Sequence, residues 1–263
     1  MQRPARTRVV RIGNLELGGS NPVRIQSMTS TFTHDVRSTL SQIHALEAAG
    51  CELIRVTVPE AKDARALLEI LRETHVPLVA DIHFDYRMAL AAIEAGVHKI
   101  RINPGNIGGK ERLRTVVQAA AQARVPIRIG VNSGSLEKAL ETSHGGATPA
   151  AIVESALGHL RFIEDLGFTD LLLSVKSSSV PQTVQAYRLL AAACDYPLHV
   201  GVTEAGSGRD GRIKSIVGIG VLLLENLGDT IRVSLTESPV AEIEVCRKLL
   251  GAVTRLRETQ GSR

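Results

Sequence analysis

The chain has 263 residues, 44% hydrophobic and 22% charged, enough apolar material for one large core. The net charge is +4, a bias toward anionic ligands. Aromatic residues make up only 3% and tryptophan is absent, so stacking platforms for nucleic acid are scarce; no basic run reads as a nucleic-acid arm and no apolar stretch is long enough for a membrane helix.

The start, Met1 to Arg8, is basic but no apolar segment follows it, so no secretory leader is expected and the cytoplasm is the default location. The cysteines Cys51, Cys194 and Cys246 include no close pair. That spacing argues against a disulfide framework and a CxxC metal site; all three read as small buried hydrophobes, and no metal ligands are expected in this chain.

In chain order, a short hairpin comes first: Arg8–Ile12 and Leu15–Leu17 flank a Gly13-Asn14 turn. In a barrel this piece would plug the bottom. Eight apolar, β-branched runs follow: Val23–Met28, Leu53–Val58, Leu78–Asp81, Lys99–Ile102, Ile127–Val131, Leu171–Val175, Leu198–Val202 and Thr230–Ser234. The first four are each followed by an amphipathic stretch, Val36–Ala49, Ala61–Thr74, Tyr86–Ala95 and Glu111–Arg124. The last four are followed by Pro149–Leu166, Val180–Cys194, Ile216–Asn226 and Val240–Leu256. Strand and helix alternating eight times is the order of a (β/α)8 TIM barrel. Gly50, Gly96 and Gly167 stand where left-handed helix stops are expected. There is no GxGxxG and no GxxxxGK[ST], so a doubly wound nucleotide-binding sheet is disfavoured. The expected organisation is one domain over 1–263, with the hairpin in 1–20, the barrel in 21–257 and a tail in 258–263.

The chemistry sits at the C-terminal ends of the strands, where TIM barrels carry their sites. Arg55, Arg101, Arg128 and Arg232 each interrupt an apolar strand, and Lys176 ends another. Strand alternation places them on the face opposite their apolar neighbours; if that face is the barrel interior, they converge on one mouth. One strand arginine alone is more often a salt-bridge partner. Five cations around one opening repel unless a highly charged anion lies between them, and guanidinium forks match phosphate oxygens. A diphosphate is the natural guest. Asp81 is expected to neutralise one arginine. His83 is either a structural histidine or a ligand contact. Asn132 and Ser234 either cap the following helix or hydrogen-bond a substrate. Glu204 lacks an obvious helix partner and suits proton transfer.

The segments around these residues resemble those of (E)-4-hydroxy-3-methylbut-2-enyl diphosphate synthases. They are Pro22–Thr29, Arg55–Pro59, Ala80–Asp85, Arg101–Gly108, Arg128–Leu136, Ser174–Ser178, Gly201–Gly206 and Gly228–Leu235, in family order. The resemblance implies reductive ring opening and dehydration of 2-C-methyl-D-erythritol 2,4-cyclodiphosphate in isoprenoid biosynthesis. It implies Glu204 and His83 as catalytic residues, and Arg55, Asp81, Arg101, Asn103, Arg128, Asn132, Lys176, Arg232 and Ser234 as substrate-binding or supporting ones. It also implies a 4Fe-4S cluster, a homodimer in which the cluster covers the partner subunit's barrel mouth, and electrons from ferredoxin or flavodoxin.

The family's cluster is held by a further C-terminal domain with three cysteines, two of them a CxxC pair. This chain contains no such pair, so its expected role is the substrate half: a barrel that binds the cyclodiphosphate and needs a cluster-bearing chain or the missing domain for turnover. The alternatives are an inactive phosphate-metabolite binding barrel and a pterin-binding barrel of the dihydropteroate synthase kind. The four strand arginines argue against the pterin pocket.

Overall fold

The computed structural model describes residues 7–261. Residues 1–6 of the hairpin segment and 262–263 of the expected tail lie outside them. A two-stranded antiparallel hairpin, β1 (Val10–Ile12) and β2 (Leu15–Leu17), turns at Gly13 with φ +58°. Eight parallel strands follow: β3 (Arg24–Met28), β4 (Leu53–Thr57), β5 (Leu78–Ile82), β6 (Lys99–Ile102), β7 (Ile127–Asn132), β8 (Leu171–Lys176), β9 (His199–Val200) and β10 (Thr230–Ile231). Neighbours in sequence pair from β3 through β8, β10 pairs with both β3 and β9, and a parallel bridge from Leu173 to Leu198 closes the ring.

Period-two alternation decides what each strand buries. The outward rows, such as Ile54, Val56 and Val58 of the β4 segment and Ile127, Ile129 and Val131 of β7, join the helices in one apolar cluster. Those helices are α1 (Val36–Ala48), α2 (Ala61–Glu73), α3 (Tyr86–Glu94), α4 (Lys110–Ala123), α6 (Pro149–Glu164), α7 (Val180–Ala193), α8 (Gly208–Leu224) and α9 (Pro239–Gly261). Asp35, Asp85 and Thr148 cap α1, α3 and α6 through side-chain oxygens, each worth about 1 kcal/mol. Inside the barrel, Leu53, Val79 and Leu172 form an apolar floor against Val10, Ile12 and Leu17 of the hairpin. The hairpin is therefore the bottom plug expected from the sequence. No helix among the described residues is long and apolar enough to cross a membrane.

Several boundaries differ from the sequence reading. Helix α8 begins at Gly208 rather than Ile216, because its first turns, Gly208 to Ser215, are glycine-rich and charged and show no apolar stripe. Strands β9 and β10 keep only two residues each. The chain leaves the ladder there for the mouth loops, Thr203 N turning to Ser177 O at 3.3 Å. A 3-10 turn (Ser133–Ser135) and a short α5 (Lys138–Ser143) fill the loop after β7. They are too brief and polar to leave a periodic signal. Helix α9 continues through the start of the expected tail to Gly261.

Candidate anion-binding site

A cavity of about 170 Å³ opens among the C-terminal ends of the strands. Arg55, Asp81, His83, Arg101, Arg128, Asn132, Lys176, Arg232 and Ser234 all line it, with Met28, Ser174, Val202 and Thr203. Nine of the eleven residues singled out from sequence thus meet at one mouth. A larger depression of about 290 Å³ between α6 and α7 is lined mainly by Ala150, Val153, Leu157 and Leu189 and gathers no comparable polar set.

Asp81, at the centre, is 1% exposed. Its two oxygens lie 3.3 Å from Arg55 Nε and 3.0 Å from Arg101 Nη1, so it neutralises two arginines rather than one. Burial alone would raise its carboxyl pKa, but the Arg55 and Arg101 charges outweigh that and hold it well below the usual carboxylate range. His83 Nε2 stands 3.7 Å from the same carboxylate at the half-exposed rim.

The second carboxylate is Glu242 in the first turn of α9, 1% exposed. It accepts from Arg232 Nε and Nη2, both at 3.2 Å, from Ser27 Oγ at 2.7 Å and from Leu235 N at 3.1 Å. Both carboxylates are thus fully committed.

The remaining cations have no such partner. Arg128 is 2% exposed, and its Nε and Nη1 meet no hydrogen-bond acceptor. Burial, then Arg55 and Arg101, push its pKa well down. Burial and the neighbouring Arg128, Arg55, Arg232 and Arg101 do the same to the Lys176 ammonium. Arg55 is lowered to about 10, by burial first, against the pull of Asp81. A guanidinium does not give up its proton near neutrality, so the arginine depressions express the cost of burial first and then mutual repulsion, both of which an anion between the cations offsets. Two small residues keep the space open. A Cβ on Gly130 would lie 2.7 Å from Arg101 Nε, and one on Gly201 would lie 2.9 Å from Lys176 Nζ and 2.6 Å from Arg232 O.

Asn132 makes no side-chain cap, and Ser234 lies well before α9 starts at Pro239, so neither serves as a helix cap. Asn103 and Glu204 do not line the cavity. Asn103 is buried and braces the turn after β7, donating Nδ2 to Ser135 Oγ at 2.8 Å and accepting from Gly105 N. Glu204 sits exposed on the loop beyond β9 with φ +50°, a conformation few non-glycine residues adopt. Sequence reasoning missed Met28, Ser174, Thr203 and Glu242. Alternation from Gln26 along β3 was a usable signal for Met28; for Glu242, on a helix distant in sequence from Ser27, no spacing rule exists.

Residues 7–247 match the family model described as the GcpE TIM-barrel domain. The chain is 55% identical over 252 residues to the 4-hydroxy-3-methylbut-2-en-1-yl diphosphate synthase (flavodoxin) of Caldanaerobacter subterraneus subsp. tengcongensis, covering 96% of this chain and 71% of that one. It is 52% identical to the enzyme of the same name from Ruminiclostridium cellulolyticum, again over 96% of this chain and 71% of the relative. Among solved structures, dihydropteroate synthase from Stenotrophomonas maltophilia superposes with a TM-score of 0.69 at 13% identity, covering 95% of this chain and 98% of that one, which shows a shared barrel only. With the barrel, its cationic mouth and these similarities in agreement, the chain belongs to the 4-hydroxy-3-methylbut-2-en-1-yl diphosphate synthase family.

Proposed function

We propose that this chain serves the reductive ring opening and dehydration of 2-C-methyl-D-erythritol 2,4-cyclodiphosphate, and that its barrel mouth binds that substrate by the diphosphate. The observation that carries the binding role is Arg128: a guanidinium 2% exposed, with two N–H positions lacking any protein acceptor, among further cations. Such a group is costly to bury unless a ligand anion completes it. In this reading Arg55, Arg101, Arg128, Lys176 and Arg232 are the anion contacts, and Asn132, Ser234 and His83 hydrogen-bond the substrate. Asp81 and Asn103 hold the contacting groups in place. Glu204 handles a proton at the rim, which its strained backbone fits. The single barrel, 21–257, with the Val10–Leu17 hairpin beneath it, is the working unit, and a homodimer belongs to the same reading.

The relatives' names specify flavodoxin, and we take flavodoxin as the electron source. A 4Fe-4S cluster would supply the two electrons to the substrate when bound. The described residues do not fit one: they contain no group of three or more His, Cys, Asp or Glu able to hold a metal. Cys51 and Cys246 are buried, and desolvation pushes their thiols up to about 12, away from the thiolate a cluster needs. The contribution derived for this chain is therefore binding, orientation and proton handling.

Calorimetric titration of the chain with the cyclodiphosphate, beside the Arg128→Ala/Arg232→Ala double variant, tests the reading. Saturable one-to-one binding that the variant loses is the expected result. A folded parent that binds no cyclodiphosphate overturns it.

A further inference from the structure

Three guanidinium nitrogens of the anion site face a thioether. Arg55 Nε and Nη2 lie 3.2 and 2.8 Å from Met28 Sδ, and Arg232 Nη1 lies 3.5 Å from it. Thioether sulfur is a weak acceptor, so beside their ion pairs with Asp81 and Glu242 these cations also point donors at a poor partner. Met28 closes strand β3, is half-buried and lines the cavity, so a small neutral oxidant that enters the mouth meets its sulfur.

We propose that Met28 is an oxidation site through which peroxide-class oxidants shut the anion pocket. The proposal rests on the diphosphate-binding reading of that pocket. In the step, the sulfur lone pair attacks one oxygen of hydrogen peroxide and an S–O bond forms as the O–O bond breaks. The proton on the transferred oxygen passes to the departing hydroxide, which leaves as water. Sulfur is oxidised by two electrons and peroxide is reduced by the same two. The guanidinium groups then face a sulfoxide oxygen, a far better acceptor than the thioether, and charge-assisted hydrogen bonds to it compete with the diphosphate for the same N–H groups. The change is reversible by methionine sulfoxide reductase.

Among the other described sulfur groups, two thiols and one thioether are poorer targets for the oxidant. Cys51 and Cys246 are buried with thiols pushed up to about 12, chiefly by desolvation. Met88 on α3 packs against the apolar core rather than lining the mouth.

The test is peroxide treatment of the full chain, with peptide masses and cyclodiphosphate titration before and after. Met28 gains one oxygen ahead of Met88, and bound cyclodiphosphate slows that gain. Affinity falls about tenfold or more, the scale of one lost charge-assisted contact, and the reductase restores it. Whatever its own affinity, Met28→Leu titrates alike before and after treatment. Oxidation of Met88 first, unchanged affinity of Met28-oxidised protein, or equal loss in Met28→Leu each overturns the proposal. Untreated protein that fails to bind refutes the diphosphate reading instead, while the order of oxidation, read by mass without ligand, still decides whether Met28 is the oxidation site.

Discussion

Arg232, just past the end of β10, is gripped by Glu242 of α9 through Nε and Nη2, both at 3.2 Å, one to each carboxylate oxygen. The last helix thus positions an arginine of the mouth, and the same carboxylate ties in Ser27 of β3 and the Leu235 amide. This pair leaves Arg232 Nη1 as the nitrogen facing the cavity sulfur.

Glu242→Gln keeps the shape and removes the charge. Breaking a buried pair of this kind costs about 3–5 kcal/mol of stability, and diphosphate affinity is expected to fall about tenfold once Arg232 is free to move. Urea unfolding and calorimetric titration read the two effects separately. Lost stability with intact affinity would make Glu242 a purely structural brace.

Arg128→Met is expected to move stability and binding in opposite directions. Arg128 is buried beside Arg55 and Arg101 with no protein acceptor for Nε and Nη1, so an apolar side chain of similar length stabilises the barrel by about 1–3 kcal/mol. Binding should weaken by about 2–5 kcal/mol, the usual loss when one member of a desolvated charge pair is truncated. A thermal melt and a titration on one preparation suffice. A less stable Arg128→Met protein would show that the guanidinium has a structural partner after all.

The sequence carried the positions of these cations because strand alternation is strict: one polar residue among apolar ones can only face the lumen. Arg55, Arg101, Arg128, Lys176 and Arg232 all follow that rule into the cavity. Gly50, Gly96 and Gly167 likewise take positive φ where helix stops were expected. Relationships between distant elements were not legible. Nothing in the run Pro239 to Glu244 announces that Glu242 meets Ser27, and nothing beside Met28 announces Arg55. The start of α8 was hidden by glycines and charges, and Asn103 and Glu204 stand outside the cavity, the Asn103 side chain being taken up by Ser135 Oγ and Gly105 N.

Asp81 gives the site an acid limit. Its folded pKa is depressed, so the stability it contributes is full above the unfolded value of about 3.9 and is lost as pH falls through the folded value. Asp81→Asn should remove that part of the acid transition and cost about 3–5 kcal/mol at neutral pH, since Arg55 and Arg101 both lose their counter-charge. Denaturant midpoints from pH 7 downward check this; parallel curves for parent and variant would contradict it.

Lys176 makes binding depend on pH from the other side. Its folded pKa is lowered by burial and then by Arg128, Arg55, Arg232 and Arg101. Between that depressed value and the ordinary 10.5 the unfolded chain holds more protons, so the empty protein gains stability as pH rises through this range. A bound diphosphate adds negative charge beside the amine and raises its pKa, so binding takes up a proton and affinity falls as pH climbs above the free-state value. Titrations in buffers of different ionisation heat measure the uptake directly. Lys176→Met should reduce it and flatten the pH dependence of affinity. Uptake unchanged in Lys176→Met would assign the proton to another group of the mouth.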